Sequence, residues 1–140
     1  MTNNAEELRH AAKEVHSHLG EGYTETVYHS ALSHELSEQG IAHHSESTIP
    51  VMYKGAAVGR RRPDMFVQFE DETIVVELKA GSSSGTDQAE QYVEILLEDD
   101  NYNTIVGAAV IRFNKEVEFG FSEVNEIKGD QQDLFTFEDK

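Results

Sequence analysis

Asp64 and, thirteen residues later, Glu77 and Lys79 are the residues of this chain whose types and spacing can do chemistry together. Positions two apart on a strand share a face, so Glu77 and Lys79 point the same way. A hairpin turning near Asp71 sets Asp64 across from position 78 or 79, within one step of that pair. Two carboxylates and an amine then converge beside a strand. Such a grouping suits a hard divalent cation, Mg²⁺ or Mn²⁺, because carboxylate oxygens hold it, waters stay on it, and a substrate phosphate completes its shell. A neighbouring ammonium orients the attacking water and balances charge in the transition state. The plain alternative is a salt bridge at strand ends. Against it, Ile74, Val75, Val76 and Leu78 are apolar, so a Glu and a Lys interrupt a core-like strand and need a reason.

The elements that must position these residues are legible from hydrophobic period. Ala5, Leu8, Ala11, Ala12, Val15 and Leu19 predict a helix over 5–19 stopped by Gly20, and Tyr23, Val27, Ala31, Leu32 and Leu36 predict a second over 22–38 ended by Gly40. The period then falls to two: Ile49, Val51 and Tyr53 read as a strand before a Lys54-Gly55 turn. Residues 56–62 read as a short connecting segment, and 65–69 with 73–78 as a hairpin. Gly81 to Gly85 is a polar loop expected to be mobile. A third helix capped by Thr86 or Asp87 carries Ala89, Tyr92, Val93, Leu96 and Leu97 and closes at 99–101. The apolar run 105–111 predicts a strand covered on both faces, and Val117, Phe119 and Phe121 a last, half-exposed one. The order ααβββαββ implies an α/β (α+β) domain over 1–128 with a central mixed sheet flanked by helices. Residues 129–140 form an acidic tail, frayed or docking through Leu134, Phe135 and Phe137.

Pro63-Asp64, a hairpin and then Glu77-x-Lys79 resemble the signature of the PD-(D/E)XK nucleases, whose core is restriction-endonuclease-like. Three further matches add to it. Residues 22–28, Gly-Tyr-Thr-Glu-Thr-Val-Tyr, resemble the helix motif of the GxxExxY proteins of that superfamily; Gln88 to Tyr92 resembles the QxxxY element of its RecB-like members; and Arg112-Phe113-Asn114 with Val117-Glu118-Phe119 resembles its closing strand pair. Together they span about residues 9–127 in the family's order. The resemblance implies Asp64 and Glu77 as metal ligands, the Leu78 carbonyl as a further one, Lys79 as the catalytic lysine, and Glu25 as an additional carboxylate, direct or through water. It also implies that Gln88 and Tyr92 flank the metal and the scissile phosphate, and that Tyr28, beside Glu25, and Tyr92 bind the substrate. Helical spacing puts Glu25, Tyr28 and Leu32 on one face, and Gln88 and Tyr92 on one face of theirs. Without the resemblance, Glu25 reads as an exposed helix carboxylate, Gln88 as a surface amide and Tyr92 as a core tyrosine.

Charge bounds the substrate. The chain of 140 residues carries 27 Asp and Glu against 11 Lys and Arg, a net charge of −16, so its average surface repels polyanions. Arg60, Arg61 and Arg62 form the one dense basic run, beside the expected metal. They are placed either to grip phosphates flanking the cleavage point or to protect an edge strand. Ends, flaps or single strands of nucleic acid, DNA before RNA, suit this surface better than long duplex; a basic protein partner, a homodimer or a salt-rich host also reconciles it. The rival expectation is a non-catalytic module of the same fold that uses its acidic surface for a protein partner.

Other classes fall away. With no Cys, disulfides, thiolate zinc and cysteine nucleophiles are excluded, which suits a reducing cytoplasm. No apolar run approaches the ~20 residues of a membrane span, and residues 1–7 do not read as a signal peptide. Gly20-x-Gly22 lacks the third glycine and the preceding strand of a dinucleotide fingerprint. His43-His44, expected in a loop, and His29 and His34, five apart, make poor zinc pairs. Ser82 to Ser84 lack a nucleophile elbow.

Overall fold

The computed structural model describes residues 3–70, 72–81 and 105–123, together with the backbone of 136–137. Helix α1 spans Asn3–Leu19 and buries Ala5, Leu8, Ala11, Ala12 and Val15, the stripe its period predicts. Gly20 ends it in the left-handed region (φ 72°), with its N–H donating to the His16 carbonyl. Helix α2 spans Glu25–Glu38, three residues shorter at its start than expected, because Thr24 is the N-cap and its hydroxyl accepts from the Val27 N–H. Tyr28, Leu32 and Leu36 form its buried stripe. It closes with paired bonds from Ile41 N–H to the Leu36 carbonyl and from Gly40 N–H to that of Ser37, around Gly40 at φ 73°.

Eight strands follow among the described residues: β1 (Ala42–His44), β2 (Ile49–Tyr53), β3 (Ala56–Arg61), β4 (Met65–Gln68), β5 (Thr73–Ala80), β6 (Ile105–Phe113), β7 (Val117–Glu123) and β8 (Thr136–Phe137). One sheet has the order β1-β4-β5-β6-β7-β8, and β2-β3 forms a separate two-stranded ribbon. The sheet is mixed: β5 and β6 run parallel and every other pair antiparallel. This is the α+β arrangement of a restriction-endonuclease-like core.

Three expectations need correction. His43 and His44 are not in a loop but in β1, an edge strand paired with β4, where His44 stacks on Phe66 at 5.1 Å. Residues 56–61 are a strand, β3; Ala-Ala-Val-Gly-Arg-Arg shows no apolar alternation because Ala56 to Arg60 are exposed whichever face they lie on. Strand β7 is not the last, since β8 pairs with it through Gly120↔Phe137 and Phe121↔Thr136, and Phe119 to Ser122 are buried. The third predicted helix, with Gln88 and Tyr92, lies outside the described residues, as do 82–85 of the predicted mobile loop and residues 134 and 135 of the tail.

The main core lies between the helices and one face of the sheet. Met65 and Val67 of β4, Ile74, Val76 and Leu78 of β5, and Ala109, Ile111 and Phe113 of β6 meet the buried stripes of α1 and α2. Alternation sends Val75, Glu77 and Lys79 to the other face, and Glu77 is 3% exposed there. Strand β6 is buried on both faces as its apolar run predicts. At Gly107 a side chain would stand 2.4 Å from the Ser122 carbonyl oxygen and 2.7 Å from the Phe121 ring, so only glycine fits.

Candidate active site

The pairing of β4 with β5 sets the chemistry. Met65 pairs with Val76, so Asp64 continues the ladder opposite Glu77, one or two residues earlier than the position 78 or 79 that a turn near Asp71 predicts, because Gln68↔Thr73 closes the hairpin. Two bonds lock the junction. The Asp64 N–H donates to Glu77 Oε1 at 3.1 Å, and Asp64 Oδ2 accepts from the Leu78 N–H at 2.7 Å. Each carboxylate thus takes a backbone donor from the other's strand. Glu77 and Ser122 are the two buried polar residues among those described, and burying a carboxylate is costly unless it is hydrogen-bonded.

A cleft of about 280 Å³ opens beside Asp64. Helix α2 lines it with Glu25, Thr26 and His29, the β1–β2 connection with Ser45 and Glu46, the β3–β4 connection with Arg62, Pro63 and Asp64, and β5 with Leu78. Glu25 stands exposed in the first turn of α2, where a carboxylate also complements the helix N-terminus. It shares the cleft with Asp64; Glu77, across the ladder from Asp64, is not among the residues that line it. Among the described residues no group of three or more Asp, Glu or His is gathered closely enough to hold an ion by itself.

The donor chemistry nevertheless fits a hard cation. Mg²⁺ is commonly held by one or two carboxylates and completes its shell with water and substrate phosphate, so it needs no protein cage. Asp64 and Glu77, bonded to each other's strands, would supply such a pair.

Sequence reasoning missed His29, Ser45 and Glu46. His29 Nε2 lies 3.0 Å from both the Asp64 carbonyl and Ser45 Oγ. A carbonyl only accepts, so Nε2 carries the hydrogen, and the ring pins the backbone of Asp64 to α2. The signal was present: His29 follows Glu25 by four residues and shares its helix face. Glu46 sits in a connection with φ 73°, a left-handed conformation that a non-glycine residue seldom adopts, and nothing in its sequence marks it.

The remaining expected residues fall into distinct places. Tyr28 is 1% exposed, its ring stacked on Phe113 at 4.4 Å and its hydroxyl donating to the Gly20 carbonyl at 2.6 Å, so it packs α2 against the sheet and the end of α1. Lys79 is half-buried and lies in register with Arg112 of β6, which pairs with Glu118 of β7 at 3.0 Å. Arg60 and Arg61 are adjacent on β3 and therefore face opposite sides of the ribbon; Arg62 lines the cleft.

No helix among the described residues is long and apolar enough to cross a membrane. No curated protein matches the chain. A family model does: residues 2–124 match the PD-(D/E)XK nuclease superfamily, and with a hairpin that joins Asp64 to Glu77 and carries Lys79 two residues on, the chain belongs to that superfamily.

Proposed function

We propose that the chain is a metal-dependent nuclease that hydrolyses phosphodiester bonds in nucleic acid, DNA before RNA. One observation carries the reading: Asp64, which lines an acidic cleft, and Glu77 are joined by reciprocal bonds to each other's strands. The residues that would hold Mg²⁺ or Mn²⁺ are Asp64 and Glu77, with the Leu78 carbonyl, and Glu25 directly or through water. Bound there, the ion would supply Lewis-acid polarisation of the phosphate and a water of lowered pKa.

The chain's own groups do the rest. Lys79, two residues beyond Glu77 on the same face, orients the attacking water and offsets the charge that develops on the phosphate oxygens. His29 holds the Asp64 backbone in place, and Arg62 borders the path of the flanking phosphate. Gln88 and Tyr92, implied by the RecB-like resemblance, belong to the same proposal.

A gel of labelled duplex, flap, single-stranded DNA and RNA with Mg²⁺ or Mn²⁺ tests the reading. Cleavage of at least one substrate that EDTA stops and Asp64→Asn abolishes is the expected result. No cleavage of any substrate, with no thermal stabilisation by either ion, would favour the non-catalytic alternative to which the net charge of −16 points.

A further inference from the structure

The chain segregates its charge. Residues 49–63 contain four of the 11 cations, Lys54, Arg60, Arg61 and Arg62, and none of the 27 acidic residues. The rest of the chain therefore carries seven cations and all the acids, a net charge of −20. This basic stretch is the β2–β3 ribbon and the short link from it to the cleft. Strands β2 and β3 pack chiefly on each other, with Ile49 buried at the root and the tip standing out. Of the five large hydrophobic residues that are exposed among those described, three are on the ribbon: Met52, Tyr53 and Val58. Charge alone would be a usual way to protect an exposed edge from pairing. Exposed apolar and aromatic side chains are the reverse of such protection and call for a ligand.

The tip is built to present Tyr53 and Lys54 together. Tyr53 pairs with Ala56, and the two residues between them, Lys54 and Gly55, have φ of 51° and 84°. That is the two-residue hairpin turn with both central residues left-handed. It sets the Lys54 ammonium 5.3 Å from the centroid of the Tyr53 ring, which remains 61% exposed. At the root, Arg60 gives one of its five donors to Thr48, and Arg62 lines the cleft beside Asp64. Root and tip are about 17 Å apart along β3 at ~3.3 Å per residue.

We infer that the β2–β3 ribbon is an arm that carries a single strand of nucleic acid from the cleft, past Arg60, to a base stacked on Tyr53. The inference rests on the nucleic-acid reading of the cleft and names its substrate class. Three features select a single strand over duplex. An aromatic ring at a tip stacks on an unpaired base and has no access to one inside a helix. Four cations neutralise few phosphates. The charge of −20 on the remainder repels the second strand that a duplex would bring against it.

The test is fluorescence anisotropy of a labelled 20-nucleotide oligo(dT) and of the matching duplex with the full chain in Ca²⁺, beside cleavage of the same oligonucleotides in Mg²⁺. The parent should bind the single strand more tightly than the duplex, with a log–log salt slope of about −3, from ~0.7 per phosphate. Tyr53→Ala should weaken oligo(dT) binding at least about fivefold. Lys54→Ala with Arg60→Ala should reduce the slope by about 1.4. Melting temperatures of the variants, expected to match the parent's, separate lost contacts from lost fold. No binding of oligo(dT), equal binding by parent and variants, or tighter binding of duplex would overturn the inference. So would a dimer in sedimentation that Met52→Ser with Val58→Ser dissociates, since the ribbon would then dock a second copy. Ribbon-dependent binding without cleavage of any oligonucleotide would sustain the arm and defeat the nuclease reading. Cleavage that the ribbon variants leave unchanged would do the reverse.

Discussion

Two hairpins follow one another in this chain and are built from opposite materials. In β4–β5, Met65, Phe66 and Val67 face Val76, Val75 and Ile74, all buried, and the hairpin is bounded by acids: Glu70 and Glu72 near its turn, Asp64 and Glu77 toward its open end. In β2–β3, only Ile49 is fully buried, no acid occurs, and the tip is exposed. The first hairpin fixes atoms; the second offers reach and charge. They meet at Arg62-Pro63-Asp64, so a ligand held along the exposed ribbon, as proposed, would lie next to the fixed hairpin. Loss of a group in the rigid hairpin should therefore abolish chemistry, and loss in the ribbon should only weaken capture.

The largest expected effect is at the junction. Asp64→Asn and Glu77→Gln should each lower cleavage by at least about a thousandfold, as loss of a preorganised charged group does. Each amide keeps an oxygen to accept the bond from the opposite strand, so melting without metal should shift by less than about 1 kcal/mol, whereas stabilisation by Mg²⁺ should vanish. Lys79→Ala should lose cleavage to a similar extent but keep the Mg²⁺ response. Glu77→Ala differs: it strands the Asp64 N–H and should cost about 1–3 kcal/mol. If Asp64→Asn unfolds the protein and the parent shows no Mg²⁺ response, the pair is structural.

The rigidity of the sheet behind the junction gives the next effect. Gly107→Ala would drive a methyl into the Ser122 carbonyl and the Phe121 ring, and β6 cannot yield without moving β5 and β7 on either side. A loss of about 1–3 kcal/mol, typical of overpacking, is expected in denaturant melts. Val58→Ser on the ribbon should change stability by no more than about 0.5 kcal/mol. Equal sensitivity at the two positions would erase the distinction between the hairpins.

What the sequence revealed follows the same division. Elements that bury a stripe announced themselves through period: α1, the core of α2, β5 and β6. The Asp64–Glu77–Lys79 grouping was visible for that reason, because polar residues interrupting an apolar strand stand out. The ribbon's second strand did not show, since Ala56 to Arg61 packs on nothing that would impose alternation. His43 and His44 did not show as a strand because β1 is three residues at an edge. His29 was passed over as a metal ligand when its bond is to a backbone carbonyl, a partner that only the folded chain brings within 3.0 Å. At Asp64 the register differs by one or two residues from the expected 78 or 79, because composition places a turn only to within a residue or so and each residue moves every cross-strand partner.

A smaller effect tests how the cleft transmits order to the junction. His29→Ala removes the donor to the Asp64 carbonyl, so it should raise the Mg²⁺ concentration for half-maximal cleavage by about tenfold, as lost supporting partners of metal ligands do. His29→Gln, whose amide N–H reaches where Nε2 does, should recover most of it. An unchanged Mg²⁺ midpoint in His29→Ala would leave His29 a packing residue.

The smallest effect sharpens the comparison most, because stability and binding should move in opposite directions. Lys54 occupies the first central position of a turn that needs φ near its observed 51°, where asparagine before glycine is the favoured choice. A lysine there carries local strain that Asn would relieve, and removing its charge costs the core nothing because the tip touches no core. Lys54→Asn should therefore raise the unfolding free energy slightly, by less than about 1 kcal/mol. It should also weaken oligo(dT) binding and reduce the salt slope by about 0.7, the share of one phosphate contact. A residue that is suboptimal for its turn but useful to its ligand fits the trade of stability for function seen at binding sites. Paired melting and anisotropy curves on this one variant check it; a gain in stability with undiminished binding would show that Lys54 serves neither the turn nor the strand it is placed to hold.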